Sequence, residues 1–303
     1  MNRVPIVFCF DDNYSSQAAV AIASLLKAKD QSTKYIIYCI VPSQYKRSNE
    51  KKIRRIVKCA ADLSFVRAGK NIEGGYETRG ISSAAYYRLC IHDLIPNEDK
   101  VIYSDVDVLF VNDLFDTYSI KIKENLIGAV KSITNYNVHD KRINEIEYWD
   151  RNFGDIRDRY VNSGFLLMNL SAIRQSGLGK RWVEMSKENY VYQDQDILNI
   201  TCKNKIIFLP PSLCKLTYIS DATYLECKGR LFTEKEINDV INNPIIIHYA
   251  GEKPWNYRSI AYSDLWWSFL SNYPGLYIGF FVRYFRVRIG RKISEYLSPS
   301  EKL

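Results

Sequence analysis

The feature that most constrains the fold is the alternation of short apolar runs with helical patterns along the chain. The runs that predict strands lie at residues 4–10, 35–41, 63–66, 101–103, 165–170, 206–209 and 245–248. The helical patterns lie at residues 17–29, about 44–60, 82–95 and about 179–190. Strands and helices that alternate in this way indicate an α/β fold with a largely parallel, doubly wound sheet.

Two segments depart from this alternation. Residues 69–80 hold four glycines without apolar periodicity, which predicts a mobile loop. Residues 112–160 are polar and irregular, and we interpret them as an insertion over the edge of the sheet where the strands end. With no internal repeat and no low-complexity tract, the sequence predicts one large domain, which we place at residues 1–272.

Two carboxylates end the fourth predicted strand, at Asp105 and Asp107. Side chains two residues apart in a strand point to the same face, so both carboxylates can converge on one point. Like charges at that distance repel each other unless a proton or a cation lies between them, and carboxylate oxygens suit hard ions such as Mg²⁺ or Mn²⁺. The simpler interpretation is a polar strand end that runs into a turn.

Polar residues also end the first predicted strand, at residues 11–13. In doubly wound sheets, ligands bind at the carboxyl ends of the strands. The two acidic clusters therefore share the edge of the sheet where a nucleotide is expected. This shared edge favours a ligand site over a simple turn.

The cysteines and the net charge narrow the class of protein. Seven cysteines, none of them in a C-x-x-C pair, predict free thiols in a reducing compartment rather than a disulfide framework or a zinc cluster. We find no signal-peptide pattern and no apolar run of the ~18 residues that span a bilayer, so we expect a cytoplasmic protein. The net charge of +8 favours anionic partners: nucleotides, nucleic acid or anionic lipid.

The last residues of the chain carry half of the excess positive charge. Between residues 277 and 303, six Lys or Arg side chains stand against two Glu. Apolar side chains at helical spacing form a stripe at Ile278, Val282, Phe285, Ile289, Ile293 and Tyr296. Basic, aromatic-rich amphipathic helices are typical of anionic membrane surfaces, and the alternative is a terminal helix packed on the domain. We treat residues 273–303 as this tail.

Six motifs point to one family when they are taken together. In chain order they are FCFDDNY (8–14), AYYRL (85–89), YSDVDVL (103–109), NSGFLLMNL (162–170), QDQDILN (193–199) and HYAGEKPW (248–255). Over residues 4–258 the chain resembles the family 8 retaining glycosyltransferases, in the branch of bacterial lipopolysaccharide galactosyl- and glucosyltransferases. One motif alone is weak, whereas six in the expected order are strong.

The resemblance implies a GT-A fold, UDP-galactose or UDP-glucose as donor, and Mn²⁺, or else Mg²⁺, as cofactor. It implies that Asp105, Asp107 and His248 ligate the metal and that Asp194 and Gln195 lie beside the anomeric carbon. The residues that it assigns to the donor are Cys9, Asp11 and Asn13 (uracil and ribose), Arg88 and Asn162 (sugar or phosphates), Val106 and Ser163 (the donor generally), and Gly251 and Lys253 (the departing diphosphate). Some members have two residues between this Gly and this Lys, where the present chain has one. The implied acceptor is a saccharide, which is lipid-linked in this branch of the family.

Two mechanisms are open at the anomeric carbon. A carboxylate such as Asp194 permits double displacement through a covalent intermediate, as in retaining glycosidases. An amide is a poor nucleophile, so Gln195 facing this carbon favours front-side attack by the acceptor hydroxyl. The sequence does not decide between them.

Several of these residues also have a purely structural interpretation. His248 follows an apolar strand, where a lone histidine is often a core residue. Asp194 and Asp196 could cap a helix, where carboxylates favour the N-terminal dipole. Arg88 needs an anionic partner because an unpaired buried guanidinium is costly, and this partner is either an internal carboxylate or the donor phosphate. Asn162 could shape the turn into its strand.

Two other functions compete with the glycosyltransferase. A phosphohydrolase of the haloacid dehalogenase type also places D-x-D after an apolar strand, although that motif normally opens the domain and here three predicted strands precede it. A glycan-binding protein that has lost catalysis would keep a UDP-sugar fold. We expect no nucleic-acid partner, because the core lacks a recognisable module for one.

Overall fold

A twisted central sheet carries the fold, and the computed structural model describes it through residues 2–69, 83–133, 143–154 and 156–297. Within these residues the sheet has seven strands in the order β3-β2-β1-β4-β7-β6-β8. The strands are β1 (Asn2–Cys9), β2 (Thr33–Val41), β3 (Asp62–Arg67), β4 (Lys100–Ser104), β6 (Ile127–Lys131), β7 (Val161–Asn169) and β8 (Ile206–Leu209). Strand β7 runs antiparallel to both of its neighbours, and the other pairs are parallel. The predicted α/β fold with a mostly parallel sheet is confirmed.

Both faces of this sheet are covered, which explains why its strands are nearly continuous apolar runs. Along β7, Phe165 and Leu167 belong to the core on one face, and Leu166 and Met168 belong to the core on the other. Side chains alternate between the faces of a strand, so a segment buried on both sides, such as residues 165–168, is apolar at every position.

The α-helices of the described part of the chain pack on the two faces of the sheet or come after its last strand, β8, in the chain. They are α1 (Ser15–Ala28), α2 (Arg47–Val57), α3 (Ile91–Leu94), α4 (Phe115–Ser119), α5 (Ile143–Phe153), α6 (Leu170–Ser176), α7 (Leu178–Met185), α8 (Asp194–Cys202), α9 (Asp221–Glu226), α10 (Glu234–Asn242), α11 (Ser263–Ser271) and α12 (Pro274–Leu297). The helix predicted at 82–95 is instead a 3-10 helix, Ser83–Cys90, followed by the short α3. Nearly all of the loop predicted at 69–80 lies outside the described residues.

The prediction that residues 112–160 form an irregular insertion was wrong in part. Strand β6 lies inside this range and is a member of the central sheet, between β7 and β8. Helices α4 and α5 also lie within it. The sequence hides β6 because Gly128 interrupts its apolar run and Lys131 ends it, so it lacks the β-branched richness of the other strands.

A second, three-stranded sheet lies beside the end of β4. Its strands are β5 (Val108–Phe110), β9 (Lys215–Leu216) and β10 (Ile246–His248), in the order β5-β10-β9. Asp105 and Asp107 lie in the short connection between β4 and β5, and β5 begins directly after Asp107. This sheet therefore brings residues 215–216 and 246–248 to the acidic pair.

Within the tail, Pro274–Leu297 form one continuous helix, α12, with apolar side chains on two faces. One face packs on the domain, where Phe280 is buried against Trp255 and Trp266 and Tyr277 contacts Trp267. The predicted stripe lies on another face: Ile278, Val282, Phe285 and Ile289 are all exposed. The side chains of Ile293 and Tyr296 lie outside the described part of the structure. No helix among the described residues has both the length and the hydropathy to cross a bilayer.

Candidate active site

Two strand pairings bring His248 to the acidic pair. In the antiparallel pairing of β10 with β5, His248 stands opposite Val108, the residue after Asp107. The backbone N–H of Tyr249 donates to the carbonyl of Asp107 at 2.9 Å, which extends this pairing past the strand end. On the other side, the backbone N–H of Asp105 donates to the carbonyl of Gly164 at 2.8 Å and so extends the pairing of β4 with β7.

Asp105, Asp107 and His248 form a compact set of possible metal ligands. His248 Nε2 lies 3.2 Å from Asp107 Oδ1 and 3.8 Å from Asp105 Oδ2. One ligand atom from each of the three residues lies within 4.8 Å of the others. Two carboxylates and an imidazole are a suitable donor set for Mn²⁺ or a similar divalent ion, so the residues present fit a metal site.

Lys253 supplies positive charge to the same carboxylates. Its ammonium contacts Asp107 Oδ2 and donates to the carbonyl of Tyr249 at 2.7 Å. Burial acts to raise the pKa of Asp107, but Lys253 and then His248 outweigh it and hold this pKa well below its usual range. Burial acts to lower the pKa of His248, but the Asp107 carboxylate outweighs it and raises this pKa well above its usual value. The Asp107 carboxylate therefore stays ionised, and a metal ion bound here would take the place of the His248 proton.

The Cys214 thiol contacts Nδ1, the other nitrogen of the His248 ring. Its Sγ lies 3.4 Å from His248 Nδ1 and 3.6 Å from Asn162 Oδ1. Since Asn162 Oδ1 also accepts the backbone N–H of Gly164 at 2.8 Å, Asn162 shapes the turn as well as facing the site. The sequence analysis missed Cys214, because a lone cysteine before a two-residue strand carries no local signal of this contact.

Arg88 finds its anionic partners inside the protein. Its guanidinium donates to Asp105 Oδ1 at 2.9 Å and to Ser163 through the carbonyl at 2.8 Å and the hydroxyl at 3.0 Å. Its Nε lies 3.2 Å from Asp194 Oδ2, although the Nε–H itself points to the carbonyl of Ala85. We predicted either an internal carboxylate or the donor phosphate as the partner of Arg88. The structure shows two internal carboxylates, Asp105 and Asp194.

Asp194 is buried at the start of α8, where it lines the cavity described below. Burial raises the pKa of Asp194 to about 6, against the opposing effect of Arg88. The backbone before it is strained, because Gln193 has a φ of 50° at the helix N-cap position. Gln195 is half-buried next to it, and its Oε1 accepts the backbone N–H of Ser163 at 3.0 Å. Helix α8 begins after Gln193, which makes no side-chain capping hydrogen bond, so Asp194 and Asp196 lie in the first turn of the helix rather than at its cap.

One cavity of about 700 Å³ joins these residues at the carboxyl ends of the strands. The predicted site residues that line it are Cys9, Asp11, Arg88, Asp105, Val106, Asp107, Asn162, Ser163, Asp194, Gln195, His248, Gly251 and Lys253. Asn13 is not among the lining residues; it is exposed, and its backbone N–H donates to Asp11 Oδ1 at 2.9 Å. Lining residues that the sequence analysis did not single out include Tyr14, Tyr192 and Tyr218.

The chain matches a family model described as glycosyl transferase family 8 over residues 5–259. It belongs to this family. Among its relatives, general stress protein A of Bacillus subtilis is 28% identical over 277 residues, which cover 88% of this chain and 92% of the relative. The lipopolysaccharide 1,3-galactosyltransferase of Salmonella typhimurium is 24% identical over 274 residues, which cover 84% of this chain and 74% of the relative.

A solved structure of the galactosyltransferase LgtC, in complex with donor and acceptor sugar analogues, has the same fold. The TM-score is 0.72 at 24% identity, and the match covers 89% of this chain and 96% of LgtC. The family resemblance and the GT-A fold are therefore confirmed. Membership in a glycosyltransferase family argues against the phosphohydrolase. The D-x-D motif of that class normally opens the domain, whereas here β1, β2 and β3 precede it.

Gly164 is required for the close approach of His248, and we expect Gly164→Ala to disturb it. A Cβ at this position would lie 2.4 Å from His248 Cε1 and 3.0 Å from Asp105 Oδ2. The imidazole should move away from the carboxylates, at a cost of about 1–3 kcal/mol of unfolding free energy. Urea unfolding measures the cost, and NMR of histidine-labelled protein follows the ring, since the chain has three histidines.

Gly275→Ala is the control for this substitution, because a Cβ at Gly275 meets nothing within 4 Å. It should leave the His248 signals unchanged and should not lower the stability, because alanine is favoured over glycine in a helix. Unaltered imidazole signals in the Gly164→Ala variant would contradict the steric role of this glycine.

Proposed function

We propose that this protein is a Mn²⁺-dependent retaining glycosyltransferase that moves galactose or glucose from a UDP-sugar to a saccharide acceptor. The observation that carries the proposal is the convergence of Asp105, Asp107 and His248 at the wall of the cavity. The relative named lipopolysaccharide 1,3-galactosyltransferase supports galactose, and the Escherichia coli relative named lipopolysaccharide glucosyltransferase WaaO, 24% identical over 261 residues, supports glucose. The proposed context is the synthesis of lipopolysaccharide or another cell-surface glycan.

Asp105, Asp107 and His248 hold the metal ion in this proposal. When bound, a divalent ion supplies positive charge that stabilises the negative charge of a departing diphosphate. Lys253 is placed to act on the same charge, because its ammonium lies at Asp107, beside the metal ligands. Gly251, with a φ of 79°, gives the backbone beside Lys253 a conformation that other residues rarely adopt.

The nucleoside occupies the other end of the cavity, near the end of β1. Cys9 and Asp11 line the cavity there, and Asn13 supports Asp11 through a hydrogen bond rather than by direct contact. Val106 and Ser163 complete the donor site from the two sides of the acidic pair. Arg88 acts on the donor through the two carboxylates that it holds, Asp105 and Asp194.

Gln195 and Asp194 support the sugar as positive charge develops at its anomeric carbon. Gln195 lines the cavity and its amide oxygen accepts the backbone N–H of Ser163, another lining residue, whereas the Asp194 carboxylate is buried and lies beside Arg88. A buried carboxylate beside a guanidinium is poorly placed for nucleophilic attack, and an amide is a weak nucleophile. These two observations favour front-side attack by the acceptor hydroxyl over double displacement.

The metal-dependent release of UDP tests this function. Wild-type protein with Mn²⁺ should slowly release UDP from UDP-galactose or UDP-glucose, and removal of Mn²⁺ by EDTA should abolish the release. Asp107→Asn should lower turnover at least 100-fold without lowering the melting temperature by more than a few degrees, because it removes a metal ligand. Asp116→Asn is the control, since Asp116 is exposed and does not line the cavity.

Other outcomes of this assay identify the rival functions. Full activity of the Asp107→Asn variant contradicts the metal assignment. Release of free phosphate from sugar phosphates would support the phosphohydrolase. Binding of UDP without turnover of any UDP-sugar would support a glycan-binding protein.

The tail, residues 273–303, attaches the catalytic domain, residues 1–272, to an anionic membrane surface in this proposal. The exposed stripe of α12 consists of Ile278, Val282, Phe285 and Ile289, and the exposed arginines nearby are Arg283, Arg286 and Arg288. An apolar strip flanked by cations is the combination that anionic bilayers bind. Such attachment would place the protein at the inner face of the cell membrane, where a lipid-linked acceptor is within reach.

Substitutions in the exposed stripe test the membrane attachment better than a truncation. Deletion after Asn272 would remove Leu276 and Phe280 from the core, so it would confuse unfolding with loss of binding. Changing Val282, Phe285 and Ile289 to Ser should lower binding to phosphatidylglycerol vesicles at least tenfold and leave UDP release unchanged. Vesicle sedimentation and the UDP assay measure the two effects.

The matched control changes Val111, Phe208 and Leu225 to Ser, three exposed apolar side chains outside the tail. This control variant should bind vesicles as wild type does. Equal vesicle binding by the stripe variant and wild type would rule out the anchor.

A further inference from the structure

Asp196 is a buried carboxylate that the proposed chemistry does not use. It is 0% exposed and does not line the cavity, although it directly follows Gln195. Its Oδ1 accepts the hydroxyl of Tyr160 at 2.5 Å, and its Oδ2 accepts the hydroxyl of Tyr148 and the backbone N–H of Tyr192, both at 2.7 Å. With both oxygens engaged, this carboxylate acts on its neighbours and not on a substrate.

Tyr160 connects Asp196 to Gln195. The Gln195 Nε2 donates to the Tyr160 hydroxyl at 3.1 Å. The direction of this contact is fixed, because the carboxylate of Asp196 takes the hydroxyl proton and leaves only lone pairs for Gln195. At the other end of the amide, Oε1 accepts the backbone N–H of Ser163, which can only donate. Both ends of the Gln195 amide are therefore specified.

The Tyr160 ring is held firmly enough to serve as this link. It is fully buried between Trp149 and Phe153 of α5, with ring centroids at 4.6 and 5.0 Å. Burial, together with the negative charge of Asp196, raises the pKa of Tyr160 well above its usual value. The phenol therefore stays protonated and donates its hydrogen bond to Asp196. Helix α5 thus helps to fix the orientation of Gln195 through the Tyr160 ring.

We propose that Asp196 and Tyr160 are positioning residues that fix the orientation of the Gln195 amide, with its oxygen toward Ser163 and the cavity. The inference rests on the proposed function, in which that oxygen supports the anomeric carbon of the donor sugar. A flipped amide would present its NH₂ group there, and an N–H dipole repels developing positive charge. The hydroxyl of Tyr160 opposes this flip from one end of the amide, and the N–H of Ser163 opposes it from the other.

Two tyrosine-to-phenylalanine substitutions separate positioning from general support of the fold. Tyr148→Phe and Tyr160→Phe each remove one hydroxyl from Asp196, but only Tyr160 also contacts Gln195. Tyr160→Phe should lower kcat for UDP release from UDP-galactose or UDP-glucose by 10- to 100-fold and leave KM within threefold. Tyr148→Phe should keep kcat within threefold of wild type, with a similar loss in melting temperature.

A background of Gln195→Ala provides the decisive comparison. Adding Tyr160→Phe to Gln195→Ala should cause no further loss of kcat, because the group that Tyr160 positions is already gone. An equal loss of kcat in Tyr148→Phe and Tyr160→Phe, or an undiminished kcat in Tyr160→Phe, overturns the proposal.

A stability measurement remains informative if wild type turns over neither UDP-sugar, which would be a failure of the proposed function. The unfolding free energies of Tyr160→Phe and Gln195→Ala should be non-additive in the double variant, whereas those of Tyr148→Phe and Gln195→Ala should add. Additive behaviour of the Tyr160 pair would refute the link between these two side chains.

Discussion

Two carboxylates that converge on one point must be matched by positive charge, and the rest of this site is arranged to meet that constraint. Arg88 contacts Asp105, and Lys253 and His248 contact Asp107. His248 and Lys253 reach the pair from a distant part of the chain because β10 pairs with β5, and Arg88 is held by Ser163 of β7, which pairs with β4. The sheet register thus decides the electrostatics, and a divalent metal held by Asp105, Asp107 and His248 would take the place of the His248 proton.

The sequence predicted those features of the fold that have a strong local signal. Strands β1, β2 and β4 are apolar runs, and the acidic pair that follows β4 lies at the predicted edge of the sheet. The motif order then identified most residues of the cavity, including His248 and Gln195. Burial and strand alternation are local properties, so they can be read from a single chain.

The remaining features depend on tertiary contacts. Strands β5 and β9 have only three and two residues, too few for a periodic pattern, yet their pairing with β10 places His248. Cys214 against His248 and Tyr160 against Gln195 are also long-range contacts without a sequence signal. In the tail, spacing correctly predicted a helix but left open whether this helix packs on the domain. Phe280 packs in the core, whereas Ile278, Val282, Phe285 and Ile289 are exposed on another face.

The most direct test of this account is electron paramagnetic resonance of Mn²⁺ added to protein carrying ¹⁵N-labelled histidine. The account predicts one bound ion with one directly coordinated histidine nitrogen, and loss of the nitrogen coupling in His248→Ala. Binding should weaken at least tenfold in Asp105→Asn and in Asp107→Asn. A bound ion without histidine coupling, or with unchanged affinity in both aspartate variants, would show that the metal lies elsewhere and contradict the account.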